Sequence, residues 1–76
     1  MNNSRRKRIA DSIKKLEDAK SKLEEVLSEE QKSLSSLPDD EEHEDMRNGM
    51  DDIISGLEDT LSSLDDTLGT LGDSDF

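Results

Sequence analysis

The chain has 76 residues, of which 41% are charged, 28% apolar and one aromatic, and its formal net charge is −11. With no cysteine it forms no disulfides and offers no thiolate to a metal. No apolar run approaches the roughly 20 residues that span a bilayer, and no apolar stretch follows the basic N-terminus as it would in a secretory signal.

The first half is free of Gly and Pro from Arg5 to Ser36 and rich in Glu, Lys and Leu, which are good helix formers. Its apolar residues step by four and three through Ile9, Ile13, Leu16, Leu23, Leu27, Leu34 and Leu37, with Lys20 and Glu30 at the two skipped positions. This predicts one helix over about 5–36, with Ser4 as its N-cap. Pro38 ends it, because the residue before a proline is pushed out of the helical region.

Asp39, Asp40, Glu41 and Glu42 then gather carboxylates where a new helix presents its positive end. From Asp51 onward the chain repeats every seven residues: an acidic pair opens each unit and a leucine closes it, at Leu57, Leu64 and Leu71. A second helix is predicted over about 40–71, with a frayed tail over 72–76 after Gly69 and Gly72.

Two helices of similar length with a short connection lie antiparallel, so the expected fold is all-α, a single helical-hairpin domain over 1–76. Folding at Pro38 would pair Ile13 with Leu64, Leu16 with Leu61, Leu23 with Ile53 or Ile54, and Leu27 with Met50. It would also bring Glu30 to Arg47, an ion pair suited to fixing register. The core seam then comprises Ile13, Leu16, Leu23, Leu27, Met50, Ile54, Leu57, Leu61, Leu64 and Leu68. Two helices touching along one seam leave each apolar side chain half wet, so self-association into a four-helix bundle or higher oligomer is expected. The small residues flanking the seam, among them Gly56, Thr60, Ser63 and Thr67, permit close approach of another helix.

Charge is polarised along the chain. Residues 1–37 carry nine basic and seven acidic groups, and residues 38–76 carry one basic and fourteen acidic groups. Arg5, Arg6, Lys7 and Arg8 crowd the start of the first helix, where the dipole disfavours cations, and Asp65, Asp66, Asp73 and Asp75 crowd the end of the second, where it disfavours anions. In a hairpin these ends are expected to neutralise each other. The alternative is that the Arg cluster binds an anion, a phosphorylated nucleotide held as by a sponge.

Asp51, Asp52, Glu58, Asp59, Asp65 and Asp66 form a stripe of pairs spaced about 10.5 Å along the axis. Such a stripe reads as a solvated face, or alternatively as a protein-binding surface that mimics a nucleic-acid backbone. Fourteen acids give one charge per roughly 4 Å at a 1.5 Å rise, against one per roughly 1.7 Å for duplex DNA, so a dimer mimics better than a monomer. The same acidity argues against direct DNA binding. His43, alone among carboxylates, is expected to be exposed, and the chain lacks EF-hand or HExxH spacing. One histidine, no cysteine and no glycine-rich loop leave no catalytic residues to name, so neither an enzyme nor a cofactor is expected.

Asn3 with Arg5-Arg6-Lys7, Glu29-Glu30-Gln31 ahead of Leu34 and Leu37-Pro38, then Gly49-Met50, Ile53 and Leu57-Glu58 together resemble a set of short acidic helical-hairpin proteins encoded by bacteriophages and prophages. Those relatives usually carry an aromatic where Leu34 stands here, and fewer glycines and serines late in the second helix. The resemblance implies a setting in the bacterial cytoplasm; by analogy with small phage proteins that lack catalytic apparatus, the expected role is to bind and modulate, by inhibition, a host or defence protein. A purely structural bundle or scaffold is the further alternative.

Overall fold

Asn2 is extended (φ −78°, ψ 166°), and its side-chain oxygen accepts the Arg5 amide at 2.9 Å. Helix α1 therefore runs Asn3–Ser36, and the N-cap is Asn2, not Ser4 as expected. Asn caps a helix as well as Ser does, and Ser4 falls inside the first turn. At the other end Leu37 turns extended (φ −70°, ψ 138°) ahead of Pro38, as the proline ring requires. A single 3-10 turn, Glu41–His43, follows, and helix α2 runs Glu44–Asp73. The computed structural model describes residues 2–73. In it α1 and α2 pack as an antiparallel hairpin, a rod of 59 × 15 × 14 Å.

The reversal is held by its own carboxylates. Asp40 Oδ1 accepts the His43 amide at 3.1 Å and lies 2.6 Å from His43 Nδ1. Arg47 reaches back from α2 to the Asp39 carboxylate and donates through Nη2 to the Asp40 carbonyl at 3.0 Å. His43 is thus half-buried at the turn, against the expectation of simple exposure. It stands at the seam position just ahead of α2, seven residues before Met50, and the repeat turns it inward.

The hydrogen bond from His43, ahead of the charges of His43 and Arg47, holds the Asp40 carboxyl below the usual carboxylate range. A depressed carboxyl stabilises the fold above its unfolded pKa, about 3.9, and that contribution is lost as pH falls through the lower folded value. The His43 amide resonance should therefore follow a step centred below pH ~3.9, and Asp40→Asn, which caps but does not ionise, should remove the step. A step at or above that pH would contradict the capping geometry.

The heptad pattern is met along both helices. Half-buried positions run through Ile9, Ile13, Leu16, Lys20, Leu23, Leu27, Glu30, Leu34 and Leu37 on α1, and through His43, Arg47, Met50, Ile54, Leu57, Leu61, Leu64, Leu68 and Leu71 on α2. The expected seam is present in full, with Lys20 and Glu30 in it. Among the described residues Ile54 alone is buried, at 9% exposure, while its neighbour Ile53 is 53% exposed. Two-helix packing covers each seam from one side only, which is why the core is a single side chain deep.

The register differs from the expected one. Ile9 lines one groove with Leu71 and Ile13 another with Leu68, and the half-buried Leu37 and His43 flank the turn; these numbers add to 80 or 81, whereas each expected pair adds to about 77. Lys20 forms an ion pair with Asp65, its long side chain bridging the difference in height. No ion pair joins Glu30 to Arg47, which is spent on the turn. The shift is one seam step of three to four residues, roughly 5 Å of axial slide. Its cause is the reversal itself: Leu37 to His43 crosses between the helices, so the fold's centre lies beyond Pro38. The end of α2 also departs from expectation. Gly72 and Asp73 belong to the helix, and the rest of the expected frayed tail, 74–76, lies outside the described residues.

Candidate functional site

The 4-3 spacing of the seam fixes what each side of the rod carries. An acidic pair directly follows each of the seam residues Met50, Leu57 and Leu64. Asp51 and Asp52, Glu58 and Asp59, and Asp65 and Asp66 are all exposed and aligned seven apart. The stripe is longer than the sequence reading made it, because Glu44 and Asp45 continue it toward the turn at the same seven-residue offset and are exposed as well. That offset was the available signal, masked by the acidic run at 39–42.

Of these eight carboxylates only Asp65 meets a cation among the described residues, and that cation is Lys20. The Asp65 hydrogen bond and charge, helped by Glu24 at 3.8 Å, hold the Lys20 ammonium above its ordinary pKa. The other seven face water without a counter-charge. Exposed like charges in such number work against the compact chain through self-repulsion, so the hairpin itself gains nothing from them.

Arg5, Arg6, Lys7 and Arg8 are exposed on the first turns of α1. None of them pairs with Asp65 or Asp66, so the expected neutralisation is not made by those two, and the side chain of Asp73 lies outside what is described. Asp65 is drawn toward Lys20 because the register slides it away from the N-terminus. Asp75 lies outside the described residues. Arg5 and Arg8 instead rim a shallow groove with Ile9, Ser12 and Leu71 along it. Its lining is largely apolar and includes the side chains of Arg5 and Arg8.

Among the described residues no group of three or more His, Asp or Glu side chains is placed to hold a metal ion, and no helix is long and apolar enough to cross a membrane. The architecture defines a class, the antiparallel two-helix hairpin with heptad packing. Comparison with protein-family models, with curated proteins and with solved structures returns no match.

Proposed function

We propose that this chain is a non-enzymatic interaction protein that binds and inhibits a basic protein partner through the acidic stripe of α2. The observation that carries the reading is the set of seven exposed, uncompensated carboxylates in strict heptad register. A regular row of negative charge on a stiff helix attracts a positively charged protein surface over a distance and orients it on arrival. The surfaces that match it best are those that proteins use to grip a nucleic-acid backbone. The partner is thus a nucleic-acid-binding host or defence factor. Placement in the cytoplasm of a phage-infected bacterium rests on the resemblance alone. We further propose that two hairpins associate into a four-helix bundle, which supplies the burial that one seam lacks and doubles the charge presented. The test is the triple reversal Asp52→Lys, Asp59→Lys and Asp66→Lys, read by capture from bacterial lysate and by competition with duplex DNA.

The groove rimmed by Arg5 and Arg8 supports a second reading, a sponge for a phosphorylated nucleotide. Calorimetry with mono- and cyclic dinucleotides should then show binding that Arg5→Ala with Arg8→Ala removes, and silence from the intact chain rules the sponge out.

A further inference from the structure

The two edges beside the seam differ sharply. Glu17 and Glu24 of α1 share one groove with Asp65 of α2, so that side of the hairpin is charged. The opposite edge of α1 carries Ser12, Ala19, Val26 and Ser33, and the opposite edge of α2 carries Met46, Ile53, Thr60 and Thr67. None of these eight is charged in a chain where 41% of residues are. Val26, Met46 and Ile53 are the large apolar side chains left open to water, at 45%, 57% and 53% exposure. Seam positions plus one such edge make the wider apolar face of a bundle helix, broader than a two-stranded coil needs.

We infer that this uncharged side closes on a second copy of the chain, with α1 of each hairpin lying against α2 of the other about a two-fold axis parallel to the rod. The inference rests on the bundle proposed above and adds the face and the arrangement. Charge selects the pairing. The α1 half of the chain is +2 and the α2 half is −13, so α1 against α2 attracts where α2 against α2 repels. Size selects the long side. A face of 59 × 15 Å offers roughly 900 Å², and a stable interface takes about 800 Å² from each partner, so a contact at one tip would fall short. The register of the seam, where paired numbers add to 80 or 81, sets the backbone of Val26 nearly level with that of Ile53, and Ala19 with Thr60. A two-fold axis along the rod keeps those heights between copies, and both acidic stripes stay on the outside.

The chain has no cysteine, so introduced thiols report cleanly. Chains bearing Val26→Cys are mixed with chains bearing Ile53→Cys and oxidised gently, with Lys14→Cys and Ser62→Cys on the outer surface as the comparison pair. The expected result is a species of about 17 kDa, twice the 8.5 kDa of one chain, in sedimentation. The expected covalent product joins one Val26→Cys chain to one Ile53→Cys chain, at least tenfold faster than the outer pair joins. Sedimentation at 8.5 kDa at every concentration overturns the bundle and the face together. A dimer whose outer pair joins as fast leaves the bundle standing and overturns the face.

Discussion

Ile54→Ala is expected to melt the hairpin, while Ile53→Ala, one residue away, leaves its helicity in place. Removing a buried Ile side chain down to Cβ costs about 2–5 kcal/mol. The thin packing around Ile54 points to the lower half of that range, because its surroundings can partly close over the gap. A seam with one buried side chain has little net stability to lose, so the dilute chain should shed most of its far-ultraviolet helical signal. Ile53 is half in water already, and a surface change of this kind moves stability by about 0.5 kcal/mol. Thermal melts of both variants at low concentration make the comparison. Equal losses would mean that the heptad phase of α2 is misplaced.

The second large effect concerns binding. Reversing Asp52, Asp59 and Asp66 to lysine changes the net charge from −11 to −5 and inverts the outer row of the stripe. All three are exposed and none is bridged among the described residues, so the helices should remain folded. Close charge pairs across interfaces couple by about 1.5 kcal/mol or more each, and 1.4 kcal/mol is about tenfold in affinity. Partner affinity should fall on the order of 100- to 1,000-fold, with circular dichroism unchanged. The captured protein should also leave the wild-type chain when duplex DNA or high salt is added. Capture that survives the reversal would remove the stripe from the mechanism.

How much of this was readable from the residues differs by level. Both helices, the break at Pro38 and every seam position but His43 follow from the 4-3 spacing, including Lys20 and Glu30, whose charge hides nothing about their place. The register was not readable, for a reason built into the pattern. Sliding one helix by a single seam step of three or four residues lays seam position on seam position again, so the repeat that announces the fold leaves its alignment degenerate. Only the features that do not repeat break the tie. The length taken up between Leu37 and His43 does so here. The apparent match of Glu30 with Arg47 pointed to the neighbouring solution, because nothing in the sequence showed Arg47 engaged with Asp39 and the Asp40 carbonyl. The capping residues were misread by two positions at Asn2 for the ordinary reason that several good caps stand in a row.

An unbroken seven-residue repeat also has a hand. An α-helix gains about 20° on such a repeat in every heptad, so the two strands must wind leftward around each other to keep their contact. The carboxylate pairs from Glu44 to Asp66 ride on that winding and climb the rod as a left-handed spiral ribbon of roughly one-fifth of a turn. A DNA strand climbs rightward. A cleft shaped to a long tract of duplex would therefore fit this ribbon over only a short chord, and the receptor best matched to its whole length has a shallow, oppositely curved basic saddle.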